Sequence, residues 1–169
     1  MADGPRYNIP FKRRKQGKTD YKRRLALLKS RKVRAVVRKS LSGTTVQMVE
    51  FTPNGDLVLC GASYTDLRKI GWTHSLKDTS ASYLTGLLAA KRAVDAQIGE
   101  AVLDIGINEP IRGSKVFATL KGLLDAGVEI PHGEDIFPTE ERITGIWRDD
   151  KKFAKDFETI RSKIMEAGE

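Results

Sequence analysis

The 169-residue chain contains 40% hydrophobic and 31% charged residues, a composition that favours one soluble domain, and its most apolar stretch, residues 84–96, is too short to span a membrane. A single cysteine, Cys60, excludes an intramolecular disulfide, and two histidines far apart in sequence give no metal-ligand spacing, so we expect no metal and no cofactor. The net charge of +8, with an N-terminus that lacks the apolar segment of a signal peptide, favours a cytosolic protein with an anionic partner.

The positive charge is concentrated at the N-terminus. Residues 1–40 hold 15 Lys or Arg and two Asp, a charge of +13, whereas the rest of the chain holds 15 basic and 20 acidic residues, a charge of −5. This asymmetry indicates an arm that binds a polyanion; the alternative is a disordered solubilising tail. Pro and Gly without apolar periodicity predict that residues 1–18 are extended and unable to fold alone. A short helix is predicted from Tyr21 to Arg31, with Thr19 or Asp20 as its N-cap.

Three strand-like segments follow the arm. Arg34–Leu41, Thr45–Thr52 and Leu57–Tyr64 are rich in Val, Leu or Thr, and turns that contain Gly separate them. These turns predict that the three strands are antiparallel neighbours. Alternation along the first strand can place Arg34 and Arg38 on one face of the sheet.

The rest of the chain predicts helices around one more strand. A helix is expected over residues 79–97, where apolar residues recur at helical spacing, and a buried strand over residues 101–107. Ser114 should cap a second helix that stops at Gly127. A third, amphipathic helix is predicted over residues 149–167.

The order of these elements predicts an α/β fold. The sheet should be mixed, with an antiparallel three-strand meander followed by α-β-α, and should carry an extended basic N-terminal arm and a C-terminal helix. We expect residues 1–32 to form a basic RNA-binding arm with a short helix and residues 33–130 to form an α/β globular body. Residues 131–169 should form a C-terminal loop and amphipathic helix.

Basic residues with interleaved aromatics are typical of proteins that bind RNA. Guanidinium groups bind phosphates bidentately, and aromatic rings stack on unpaired bases. The pattern does not separate RNA from DNA, and Phe11 or Tyr21 could instead pin the arm to the protein core. The candidate RNA-binding residues of the arm and first strand are Arg6, Tyr7, Phe11, Lys12, Arg13, Arg14, Lys15, Lys18, Thr19, Tyr21, Lys22, Arg23, Arg24, Arg31, Lys32, Arg34, Arg38 and Lys39.

Two loops carry further candidate contacts with RNA. The loop at residues 108–115 leaves a strand and opens a helix, so its free amides and cations could hold a phosphate, although ordinary helix capping explains Ser114 equally well. In the loop that precedes residue 79, Trp72 could line an RNA groove or anchor the core. Trp147 is expected to be a packing residue at the start of the last helix. The candidates in the two loops are Arg112, Ser114 and Lys115, and Arg68, Lys69, Trp72 and His74.

Two other functions stay open on the residues alone. A metal-dependent nuclease would need converging carboxylates such as Asp56, Asp95 and Asp104 on the mixed sheet. A DNA-compacting protein would bind duplex DNA as well as structured RNA.

Five segments of the sequence resemble one known family. They are Gly17–Leu25 (GKTDYKRRL), Val36–Arg38 (VVR), Ala81–Ala89 (ASYLTGLLA), Gly113–Gly122 (GSKVFATLKG) and Ile130–Gly133 (IPHG). Together they are similar to the archaeal and eukaryotic branch of the 5S-rRNA-binding protein family of the large ribosomal subunit. The chain lacks the long C-terminal extension of eukaryotic members, which favours the archaeal form.

The resemblance implies a ribosomal protein of the central protuberance that is not an enzyme. Its partners would be 5S rRNA, large-subunit rRNA and neighbouring ribosomal proteins, with no membrane and no small-molecule substrate. It also implies an α/β body beside the 5S RNA and a basic arm embedded in RNA.

Overall fold

The computed structural model describes residues 4, 6, 8–148 and 150–166 of the chain. Two 3₁₀ turns, Glu134–Ile136 and Ile146–Arg148, lie on either side of the sixth helix. The described helices and strands, in chain order, are α1 (Lys12–Lys15), α2 (Tyr21–Leu28), β1 (Arg34–Lys39), β2 (Thr44–Thr52), β3 (Gly55–Ser63), α3 (Tyr64–Ile70), α4 (Thr79–Asp95), β4 (Val102–Asp104), α5 (Lys115–Asp125), α6 (Glu140–Thr144) and α7 (Lys151–Glu166).

The four strands form one mixed sheet in the order β3-β2-β1-β4. β1 pairs antiparallel with β2, and β2 with β3, whereas β1 and β4 run parallel. This topology confirms the predicted α/β fold with its antiparallel meander. β4 covers three of the seven residues predicted to be a strand, because Gly106 adopts a positive φ of 62° and turns the chain out of the ladder.

Helices α4 and α5 cover one face of the sheet. Ala35 and Val37 of β1 and Met48 of β2 are buried in the core with these helices. Gly86 of α4 lets the two helices pack backbone to backbone, since a Cβ atom there would overlap the carbonyl oxygen of Thr119 in α5. Small residues at helical spacing thus bring α4 and α5 close together.

Helix α7 completes the core, as its apolar stripe predicts. Phe153, Phe157, Ile160 and Ile164 are all buried. The Phe153 ring lies edge-on to Trp72, with ring centroids 5.4 Å apart. Residues near the C-terminus therefore belong to the same core as the sheet.

Several local predictions need correction. Residues 64–70 form a helix, not a strand end and loop, because Ser63 and Asp66 make a capping box at its start. Trp147 was expected to pack, but 60% of its surface is exposed. The arm is not extended throughout, since α1 forms one helical turn that ends where Gly17 adopts a positive φ of 62°. Helix α2 ends at Leu28, three residues before the predicted Arg31.

Candidate nucleic-acid interface

The basic arm has local structure of its own. Asp20 is the N-cap of α2, and its Oδ1 atom accepts hydrogen bonds from the backbone amides of Lys22 (3.0 Å) and Arg23 (3.1 Å). The Nε atom of Arg13 donates to the hydroxyl of Thr19 at 2.9 Å and so links α1 to the start of α2. These contacts fix the spacing between the basic side chains of the two helices.

Two aromatic residues of the arm contact each other. The rings of Phe11 and Tyr21 lie 5.1 Å apart at an interplanar angle of 48°. Phe11 remains 71% exposed, so it is not pinned to the core and one face of its ring stays open to a base. Tyr7, the third aromatic candidate, lies outside the described residues.

A network of alternating charges ties the arm to the sheet. Asp56, the second residue of β3, binds Arg24 of α2 and Arg34 of β1, each at 2.8 Å. Asp104 of β4 binds Arg34 at 2.9 Å and Arg38 at 3.0 Å. The five residues form a continuous chain of ion pairs that holds α2 against the open face of the sheet.

The network affects the charge state of Asp56. Partial burial acts to raise the pKa of this carboxyl, but hydrogen bonds and charges from Arg24 and Arg34 outweigh burial and hold the pKa below its ordinary value. Asp56 is therefore a stable anion that keeps both arginines in place.

Arg34 and Arg38 do share one face, yet they differ in access to solvent. Arg34 is only 2% exposed and is occupied by two carboxylates, so its candidate role as an RNA contact is replaced by a structural one. Arg38 is about half exposed, and its Nη1 atom donates to the carbonyl oxygens of Val37 (2.9 Å) and Asp104 (2.7 Å). Arg38 is thus a cation held in a fixed orientation at the surface.

Most other arm cations are exposed and available. Arg23 contacts Asp20 at 3.4 Å, and Lys32 pairs with Glu100. Lys29, which was not among the predicted RNA contacts, is also exposed. The exposed cations of residues 1–40 that make no ion pair with another described residue are Arg6, Lys12, Arg13, Arg14, Lys15, Lys18, Lys22, Lys29, Arg31 and Lys39.

A cleft separates the arm from the edge of the sheet. Its volume is about 390 Å³, and its walls come from α1, α2, β4 and the loop that follows β4. Apolar side chains of α2 and β4 also line it. The cations that line it are Arg13, Lys18, Arg23, Arg24 and Arg38.

The candidates at residues 68–74 lie on α3 and in the loop that follows it. Arg68 and Lys69 are exposed on α3, and Lys69 pairs with Asp66 at 3.0 Å. Trp72 is buried and donates to the carbonyl oxygen of Ser75 at 3.1 Å, so it anchors the core and offers no face to RNA. His74 is half-buried and contacts Asp156 at 2.8 Å, which connects this loop to α7.

The loop before α5 presents its cations but lacks the expected cap. Arg112 and Lys115 are exposed. Ser114 occupies the N-cap position of α5, but its hydroxyl makes no capping bond and has no hydrogen-bond partner among the residues described. The predicted phosphate contact at this loop stays a prediction.

Two of the three carboxylates considered for a nuclease are bound by arginines. Asp56 and Asp104 are each held by arginines, and Asp95 lies exposed at the end of α4. Within the described ranges no group of three or more His, Cys, Asp or Glu could hold a metal ion.

Among the helices that the structure describes, none has both the length and the apolar character that a membrane span requires.

A family model and two relatives with similar sequences all describe proteins of the large ribosomal subunit. A family model described as ribosomal large subunit proteins 60S L5 and 50S L18 matches residues 5–99 and 95–133. A protein of Methanothermobacter thermautotrophicus named large ribosomal subunit protein uL18 is 46% identical over 171 residues, which cover 99% of this chain and 89% of the relative. A protein of the same name from Natronomonas pharaonis is 49% identical over 145 residues, which cover 86% of this chain and 79% of the relative.

Proposed function

This chain belongs to the family of ribosomal large subunit proteins 60S L5 and 50S L18, with archaeal uL18 proteins as relatives, and we propose that it binds 5S rRNA and helps attach it to the large subunit in the central protuberance. As a large-subunit protein of this family, it is located in the ribosome, in the cytoplasm. Its further partners are then large-subunit rRNA and neighbouring ribosomal proteins, and its role is structural, not catalytic.

The observation that carries the proposal is the set of exposed, unpaired cations on the arm. A disordered solubilising tail would not need cations spaced by two helices, nor a charge network that fixes α2 on the sheet. Phosphate groups release condensed counterions when such cations approach, and this release provides most of the affinity. The exposed ring of Phe11 adds a surface for an unpaired base, which favours RNA over duplex DNA.

The regions divide the work unequally. Residues 1–32 form the RNA-binding arm, and residues 33–130 form the body that fixes its position. Within the C-terminal region, residues 131–169, the helix α7 packs on the body, where its Phe153 and Phe157 are buried in the core. We therefore assign RNA affinity to the arm and leave the acidic body free for protein neighbours.

Competitive binding with charge variants tests the proposal. The double variant Lys12→Ala with Lys15→Ala removes two cations from α1, and the matched control Lys151→Ala with Lys152→Ala removes two exposed cations from α7. The labelled RNA is 5S rRNA, and the competitors are an unrelated structured RNA and duplex DNA.

The arm variant should lose about ten-fold or more in affinity for 5S rRNA at low salt, since each lost phosphate contact weakens binding. The α7 control should bind as the unchanged protein does. Equal affinity for 5S rRNA, control RNA and duplex DNA would instead indicate a general nucleic-acid-binding protein. Equal losses in both double variants would show that the arm has no special role.

A further inference from the structure

We propose that the cleft between the arm and the sheet edge holds one unpaired nucleotide of the bound RNA, with its base on the apolar floor and its phosphate on the cations at the rim. The inference rests on the proposed RNA-binding function and names the form of RNA that this part of the protein recognises.

The floor of the cleft is apolar in a strongly charged neighbourhood. Leu27 of α2, Leu103 of β4 and Ile105 are half-buried, and all three line the cleft. A duplex presents phosphates and sugars to a protein, and these need cations but no apolar floor. A base taken out of its stack has two apolar faces that require such a surface.

Two cations at the rim of the cleft are available to bind a phosphate. Arg24 and Arg38 are held by Asp56 and Asp104, but Arg13 and Lys18 make no ion pair with any described residue. The Nε atom of Arg13 is fixed by Thr19, which leaves its two terminal nitrogens for a phosphate.

The two carboxylates in the cleft do not oppose an anion strongly. Asp20 accepts from two backbone amides at the start of α2. Asp104 is bound by two arginines and accepts from the amide of Gly106 at 2.9 Å. Asp20 also contacts Arg23 at 3.4 Å. Five cations and only these two carboxylates line the cleft, so the net charge of its lining is positive.

The size of the cleft suits one nucleotide. A volume of about 390 Å³ lies within the range of about 300 to 1,000 Å³ that pockets for small organic ligands occupy. The fixed arm and the rigid sheet edge form its walls, so the site exists before RNA binds, which favours selection of one conformation of the RNA.

A variant that fills the cleft without changing charge provides the test. Ala26 of α2 is exposed and lines the cleft, so Ala26→Phe places a ring in the space with little effect on the fold. Ala96→Phe is the matched control at an exposed alanine after α4, which does not line the cleft. Each protein is titrated with 5S rRNA that carries 2-aminopurine at one unpaired position at a time, and circular dichroism checks that the helices are intact.

The unchanged protein and Ala96→Phe should raise the 2-aminopurine fluorescence at one or two positions, because the base leaves its stack. Ala26→Phe should abolish that rise and weaken binding by roughly 5-fold to 150-fold, the loss expected for one stacked base. Unchanged affinity and fluorescence with Ala26→Phe would overturn the inference and leave the proposed function standing. If the unchanged protein fails to bind 5S rRNA at all, the proposed function fails and the inference fails with it.

Discussion

Replacing Arg34 by Met should destabilise the fold more than it weakens contacts with RNA. Arg34 is 2% exposed and joins Asp56, whose side chain is 29% exposed, to Asp104, whose side chain is 6% exposed. Removing one member of a buried ion pair leaves an uncompensated charge, which lowers the free energy of unfolding by about 3 to 5 kcal/mol. In Arg34→Met, Asp56 is still paired with Arg24 and Asp104 with Arg38. We therefore expect a loss of stability at the lower end of this range, about 3 kcal/mol.

This loss should lower Tm by about 6 to 12 °C, since 1 kcal/mol corresponds to about 2 to 4 °C in a protein of this size. Thermal unfolding followed by circular dichroism measures it. Arg38→Met is the matched control on the same strand face, and it should change stability by about 1 kcal/mol because its guanidinium is half exposed. An unchanged Tm in Arg34→Met, together with a large loss of RNA affinity, would show that Arg34 contacts RNA and does not stabilise the fold.

Three further results are expected. Removal of residues 1–18 should lower RNA affinity by orders of magnitude and leave Tm of the body unchanged, because the segment carries charge and residues 4, 6 and 8–18 bury no side chain in the core. Loss of the cooperative thermal transition in the truncated protein would show that the segment is part of the core. RNA affinity measured against salt should give a log–log slope of about −6 to −9, from roughly 8 to 10 phosphate contacts at about 0.7 to 0.9 counterions each, and a slope shallower than about −3 would exclude charge-dominated binding. The pKa of Asp56 is lowered in the folded protein, so as pH falls the unfolded chain is protonated first and the free energy of unfolding decreases below the ordinary pKa of an aspartate. Asp56→Asn should flatten that acidic part of the stability profile measured by urea unfolding, and an unaltered profile would contradict the network.

The sequence predicts those features that depend on neighbours along the chain. Asp20 marks the start of α2, the turns set the antiparallel meander, and the apolar stripe of α7 is buried as expected. Each of these signals lies within one element or one turn, where periodicity and capping chemistry suffice.

The features that the sequence does not predict depend on contacts between distant residues. Arg34 lies 70 positions from its partner Asp104, so alternation shows the shared face but not the ion pairs that bury it. The sequence does not predict the apolar floor of the cleft for the same reason. Leu27 and Leu103 line one cleft only once β4 is paired with β1. Trp72 is buried and Trp147 exposed, and nothing in the residues beside them distinguishes the two environments.

The most direct test of the central claim is hydroxyl-radical footprinting of the full chain on 5S rRNA, with a structured RNA of equal length as control and both at physiological salt. We expect a continuous protected region on 5S rRNA that shrinks when residues 1–18 are removed, and weak, scattered protection on the control. Equal protection of both RNAs, or a footprint that does not change when the arm is removed, would contradict the claim that this protein holds 5S rRNA with its basic arm.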